Sequence, residues 1–168
     1  MPLRGLAAIV LILLLGACAA EAPVETPAMY VNMAEPGAKL DPVAAASMIS
    51  QYRANNGLGS VEVDPELTRL AEVQSQAMAA KNKLDHDAKA PLAKRLNGAG
   101  YPATQAVENV SAGYHTLAEA FSGWRNSPSH NKNMLLASAT KIGIATAYAP
   151  KSKYQVYWAL VLAEPDDR

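Results

Sequence analysis

Cys18 is the only cysteine among the 168 residues, and this removes the covalent route to a stable small fold. With no internal disulfide available, whatever folds here must be held by a hydrophobic core. Residues 40–164 are long enough for one such core. Fifteen basic and fifteen acidic side chains give a formal charge of zero. No basic patch stands out, which argues against a nucleic-acid partner.

The cysteine closes a distinctive leader. Arg4 gives a short positive start, and residues 6–15 form an unbroken apolar run too short to cross a bilayer comfortably. The run ends in Leu15-Gly16-Ala17-Cys18, where the small residues let the chain lie extended in a peptidase cleft. This pattern resembles the bacterial lipobox. The resemblance implies that residues 1–17 are a signal peptide and that Cys18 is acylated, making the membrane a partner through its lipid anchor. It also implies a location in the cell envelope. Ala19 after the cysteine favours the outer membrane, facing the periplasm or the surface, if the bacterium has two membranes. Residues 18–39, with Pro23, Pro27 and Pro36, read as the lipidated cysteine and a flexible tether. Residues 165–168 read as a frayed end.

Within the domain, Asp41-Pro42 marks a helix start and Asn55-Asn56-Gly57 its stop. Asp64-Pro65 opens a second helix, with Leu67, Leu70, Ala71, Val73, Ala77 and Met78 on its apolar face, running to about Lys83. A short helix is expected from Pro91 to Leu96, and a brief strand over residues 106–112. Thr116 and Glu119 carry a capping-box signature for a helix that breaks before Ser127-Pro128. Residues 141–149 and 154–163 alternate in hydropathy around Pro150-Lys151-Ser152-Lys153, as a hairpin does. Helices first and hairpin last predict an α+β fold with an antiparallel sheet.

Three side chains stand apart from this packing scheme. His86 follows a helix end, Glu108 interrupts an apolar strand, and His130 follows a helix break at Ser127-Pro128-Ser129. If they converge, two neutral imidazoles and a carboxylate suit a divalent metal, zinc first among them, with an open position for water. The same set suits proton transfer near neutral pH.

The order of motifs narrows the reading. His86, then Val107-Glu108-Asn109-Val110, then the stretch from Phe121 to Leu135 containing Trp124, Ser127-Pro128, His130-Asn131 and Met134-Leu135, resembles the CAP superfamily. Lys141-Ile142-Gly143-Ile144 and Tyr157-Trp158-Ala159 continue the match. This is the SCP-like domain of cysteine-rich secretory proteins, antigen 5 and pathogenesis-related proteins, here in bacterial form. The resemblance implies an α-β-α sandwich with a central antiparallel sheet and an exposed cavity lined by His86, Glu108 and His130, the two histidines being able to bind zinc. A fourth, acidic position of the eukaryotic form is Ser127 here, and the eukaryotic disulfides are absent.

Other polar residues take plainer roles. Ser129 beside His130 is read as structural, His115 as solvent-exposed ahead of its cap, and Asn109 and Asn133 as partners of loop backbone. Trp124 and Trp158 are read as core, and Asp85 or Asp87 as either orienting His86 or simply solvated. No catalytic residue is firmly assigned. The expected function is an envelope-anchored binding module that presents the His/Glu cavity to a lipid, glycan or protein ligand, with enzymatic activity the weaker expectation. The alternative is a zinc-dependent hydrolase of peptide or peptidoglycan using His86 and His130 for the metal and Glu108 for the water. A structural protein with a vestigial cavity is the third reading.

Overall fold

The computed structural model describes residues 25–166; the expected signal peptide 1–17 and Cys18 lie outside the described residues. Helix α1, Pro42–Ala54, begins where sequence places it: the Asp41 carboxylate accepts from the amides of Val43 and Ala44 at 2.8 and 3.1 Å. Asp64 repeats the device for α2, Pro65–Lys81, accepting from Glu66 and Leu67 at 2.9 Å. Each cap satisfies two amides that the first helical turn leaves without partners. α2 stops at Asn82, whose φ of 49° is left-handed. α3 spans Leu92–Gly98, and α4, Leu117–Asn126, opens on the complete Thr116–Glu119 capping box.

Three long strands and one short one form a single sheet: β1 Glu62–Val63, β2 Ala103–Ala112, β3 Lys141–Tyr148 and β4 Val156–Pro165, in the order β1-β3-β4-β2. β4 runs antiparallel to both β3 and β2, while β1 adds two residues parallel to β3. From Val156 to Ala163, β4 is buried on both faces. Val156, Trp158, Leu160 and Leu162 pack with Ile49 of α1, Leu117 and Trp124 of α4, and Met134. Tyr157, Ala159, Val161 and Ala163 pack with Leu67, Leu70 and Met78 of α2 and Leu96 of α3. Hydropathy alternation in β4 thus separates two cores rather than a core and solvent, and small alanines on one face let α2 approach closely. The result is the α-β-α sandwich.

Four details depart from the sequence reading. β2 is longer than the brief strand expected, starting at Ala103. Tyr154 is not in the hairpin strand, because Gln155 turns the backbone to a φ of 62° and pairing resumes at Val156. The tether does not run free to residue 39. After a 3₁₀ turn at Ala28–Tyr30, Met33 is only 3% exposed and its amide donates to the His115 carbonyl at 2.7 Å, so this segment straps across the α1/α4 layer. At the other end Pro165 pairs with Ala103, and the Asp166 amide reaches the Pro102 carbonyl at 3.1 Å. Apolar contact in one case and sheet pairing in the other hold residues that composition alone assigns to coil.

The helix break before Pro128 is also not the end of helix. α5, Pro128–Met134, starts there, with proline at its first position. Fully buried Arg53 secures its far end. The guanidinium donates to the carbonyls of Met134 and Leu136 at 3.0 and 2.8 Å, and to those of Gly59 and Ala139 at 2.8 and 3.0 Å. Burial lowers its pKa, and four carbonyl dipoles offset the cost of enclosing its charge.

Candidate functional site

His86 and Glu108 meet at the outer edge of β2, and His130 lies near enough to feel the charge of His86. Glu108 is buried, and its side chain points toward α3, where the equally buried Arg95 guanidinium donates to Oε1. The other carboxylate oxygen, Oε2, lies 3.0 Å from Nδ1 of His86. A carboxylate so placed accepts, so Nδ1 of His86 carries a proton; in the imidazolium both nitrogens donate, whereas in the neutral ring Nε2 keeps its lone pair. The His86 side chain is 58% exposed, so that nitrogen is open to solvent or a ligand.

The loop carrying His86 is held from below. Gln74, fully buried on α2, donates through Nε2 to the carbonyls of Asp85 and His86 at 2.8 and 2.7 Å, and accepts from the Lys89 amide at 3.2 Å. Arg95 adds a bond to the Ala90 carbonyl at 2.9 Å. Glu108, rather than Asp85 or Asp87, therefore orients His86. Asp85 instead pairs with Lys83 at 2.8 Å and accepts the Asp87 amide at 2.9 Å.

His130 arrives from the opposite side, in the first turn of α5. Asn109, whose side chain projects to that face, donates to the His130 carbonyl at 2.9 Å. Asn133 donates to the Glu108 carbonyl at 3.0 Å and to Asn109 Oδ1 at 2.9 Å. Both asparagines serve backbone groups, as the sequence reading has it. The edge strand would otherwise leave the Glu108 carbonyl unpaired, and Asn109 ties the strand to α5.

The two imidazoles titrate in opposite directions. The hydrogen bond donated to Glu108 holds the His86 pKa above its ordinary value, against the effect of burial and with further help from the carboxylate's charge. Desolvation lowers that of His130, and the charge of His86 lowers it further. The rings are thus near enough for charge on one to disfavour charge on the other.

As a zinc site the set is short of donors. Zinc centres use at least three protein ligands, yet among the described residues no group of three or more His, Cys, Asp or Glu side chains is placed to hold a metal ion. Glu108 already has both oxygens engaged, and Ser127 Oγ sits 3.4 Å from Ser129 Oγ without a carboxylate at that position. The carboxylate stands behind an exposed imidazole and fixes its tautomer, leaving the outer ring nitrogen to meet whatever binds.

Sequence alone does not single out Arg95 and Gln74, although a signal is there. Leu92, Arg95 and Leu96 share one helical face, as do Leu70, Gln74 and Met78, so both polar residues sit on apolar stripes. His115, expected in solvent, is only half exposed, since its carbonyl receives the Met33 strap.

A second feature lies away from this cluster. A groove of about 640 Å³ runs between the 3₁₀ turn, α1 and α4, lined by Met29, Ala44, Met48, Tyr52 and Phe121, with Gln51, Asn55 and Arg125 among its polar lining. Tyr52 meets Phe121 edge-on at 5.4 Å, and the Arg125 guanidinium lies 5.9 Å from the Phe121 ring centre.

A four-stranded, mainly antiparallel sheet between two helical layers, with histidines flanking a buried glutamate at its edge, defines an SCP-like domain. The sequence profile of CAP, the cysteine-rich secretory protein family, matches residues 46–162, and the chain belongs to that family. It is 33% identical over 95 residues to the Bacillus subtilis protein YkwD, a match covering 55% of this chain and 37% of that protein's length. The fold is also similar to that of an extracellular, SCP-domain-containing protein of Bacillus anthracis, with a TM-score of 0.63 and 23% identity over 71% of this chain and 39% of the other. An outer surface protein of Borrelia burgdorferi superposes with a TM-score of 0.65 and 19% identity, covering 77% of this chain and 99% of that one.

Proposed function

We propose that this chain is a binding module of the cell envelope, lipid-anchored at Cys18, and that it takes an apolar ligand of acyl-chain size in the groove between α1 and α4. The observation that carries this reading is the contrast between its two candidate sites. Both Glu108 oxygens are already engaged by Arg95 and His86, whereas the groove offers apolar walls in the volume range of small-molecule sites, roughly 300–1,000 Å³. The Arg125 guanidinium would meet a terminal carboxylate or phosphate. Placement at the envelope draws support from the extracellular and outer-surface relatives and from the leader sequence.

The test is displacement of a fluorescent fatty acid from the chain beginning at Ala19. Binding that is lost in Ala44→Trp, which fills the groove, and retained in His86→Ala and His130→Ala supports the assignment. Wild-type protein that binds no fatty acid, or an Ala44→Trp variant that binds as well as wild type, refutes it. Arg125→Gln is expected to weaken fatty acids more than the matching alcohols.

A second reading, a zinc-dependent hydrolase of peptide or peptidoglycan, is favoured by His86 and His130 lying near enough for the charge of one to act on the other. Such a centre needs ligands beyond these two imidazoles. Calorimetric titration decides it: one equivalent of zinc, lost in both His86→Ala and His130→Ala, keeps the reading, and absence of binding ends it.

A further inference from the structure

Met33 fixes where the chain leaves the domain. Its side chain is buried and its amide is bonded to the His115 carbonyl, so the preceding turn at Ala28–Tyr30 lies on the α1/α4 layer. Pro27, Ala28 and Met29 form part of the groove wall, and Glu25 therefore emerges beside the groove.

The same place carries exposed apolar surface. Among the described residues five large apolar side chains are exposed, and three of them, Met29 (37%), Tyr30 (57%) and Val43 (66%), belong here. Val43 stands one turn before Ser47 and two before Gln51 on α1, and both of those line the groove. Met29 lines the groove itself, Tyr30 follows it in the chain and Val43 stands on the helix line that reaches it, so the three flank the groove's mouth. Singly exposed apolar residues need no explanation, whereas a patch continuous with a cleft marks a contact surface.

The occupant follows from the length of chain outside the described residues. Cys18 is seven positions before Glu25, and seven fully extended residues reach at most about 25 Å. An anchor at Cys18 keeps this face, more than any other, close to the bilayer. Tyrosine suits the lipid–water interface, and tethering turns even weak partitioning into steady contact by raising the effective concentration.

We infer that the face formed by Met29, Tyr30 and Val43 rests on the leaflet that holds the Cys18 lipid, so that the groove opens toward the membrane. The inference rests on acylation of Cys18 and deepens the acyl-ligand reading by giving the ligand's route of entry.

The lone cysteine makes the test clean. Once Cys18 is acylated, an introduced cysteine is the only free thiol. Nitroxide is placed at Tyr30→Cys and Val43→Cys, and as controls at Leu84→Cys and Asn97→Cys, exposed positions associated with the opposite, α2/α3 layer. The full lipidated protein is reconstituted in vesicles of phosphatidylethanolamine and phosphatidylglycerol. Collisions with membrane-dissolved oxygen and with an aqueous nickel chelate are then compared. Positions 30 and 43 are expected to lose most of their nickel collisions and gain oxygen collisions, while 84 and 97 stay water-accessible. Equal water exposure at all four positions, or shielding of the controls instead, overturns the orientation. Mass spectrometry of the amino-terminal peptide separates the premises: a peptide without acyl mass refutes the anchor, and the orientation with it. Fatty-acid displacement from the unlipidated chain reads the groove independently of both.

Discussion

Gly143 tests whether the close contact between sheet and helix holds the functional cluster together. A Cβ added at this residue of β3 would lie 2.1 Å from the Leu67 carbonyl carbon, 2.3 Å from the Thr68 amide nitrogen and 2.4 Å from the Leu67 carbonyl oxygen. All three are backbone atoms of the first turn of α2, so no side-chain rotation relieves the clash. To restore ordinary contact of 3.4 Å, strand and helix must separate locally by about 1.3 Å. A radial gap approaching 1 Å already forfeits a quarter to a half of a dispersion contact, and here it opens beneath Leu67, Leu70 and Ala71, all buried. The expected cost of Gly143→Ala lies in the upper part of the overpacking range, about 2–3 kcal/mol.

At roughly 4 °C per kcal/mol for a chain of this size, the midpoint of thermal unfolding should fall by about 8–12 °C. Gly59→Ala is the control, since nothing lies within 4 Å of a Cβ there, and it should melt close to wild type. A second readout ties the fold to the site. α2 carries Gln74, which holds the His86 loop, so displacement of α2 should loosen His86 from Glu108 and lower the His86 titration midpoint measured by NMR. A Gly143→Ala protein that melts with wild type refutes the packing argument. One that melts early with an unchanged His86 midpoint refutes the link to the site.

Arg95→Met strands a buried carboxylate and should cost about 3–5 kcal/mol in denaturant unfolding; adding Glu108→Gln should recover part of it, and an equal further loss would show the two side chains to be independent. Proton titration followed by NMR should place His86 above and His130 below the unfolded value of about 6.5, with His86→Ala raising the His130 midpoint and Glu108→Gln lowering that of His86. By linkage, the stability from His86 is present below about pH 6.5 and lost as pH rises through its folded pKa, whereas that from His130 is present above about pH 6.5 and lost as pH falls through its folded pKa; the difference in unfolding stability between wild type and each alanine variant, measured from about pH 5 to 8, should show these opposite slopes. Met33→Ala should cost about 2 kcal/mol, the low end for truncating a buried methionine, because the strap can detach without opening the sheet. The amide of Met33 should then lose its protection in hydrogen exchange before the strands do.

Much of this was legible in the sequence because it is written locally. Asp41-Pro42, Asp64-Pro65 and Thr116 with Glu119 mark three helix starts through bonds made within four residues. The motif order around Glu108 and His130 carried the family and the sandwich. What sequence hid depends on distant contacts. Met33 looks like part of a proline-rich tether until α4 and the His115 carbonyl are beside it. α5 hides behind Ser127-Pro128, where the same proline that ends one helix begins another. Arg95 and Gln74 are not singled out by sequence, although each shares an apolar stripe. Only the sandwich shows that both stripes face carboxylate or carbonyl partners.

The cluster around Glu108 makes most sense first as closure of an edge. β2 is the outer strand of the sheet, and its exposed backbone groups would invite pairing with another chain. Asn133 takes the Glu108 carbonyl, Asn109 binds α5 in return, and Arg95 with His86 satisfies the carboxylate from the other side. Removing Arg95 would strand a buried charge, and the other three bonds satisfy part-buried groups, so their placement follows from folding before any chemistry is asked of them. What remains chemically open is two imidazoles of opposite titration shift. The groove bears no such structural duty: its walls can change without uncovering a buried donor or charge, apart from the hydroxyl of Tyr52, which reaches Asn131 Oδ1 at 2.8 Å and so joins the groove to α5. That difference in obligation supports the proposal that the groove takes the ligand, while the histidine–glutamate set is constrained by the fold it completes.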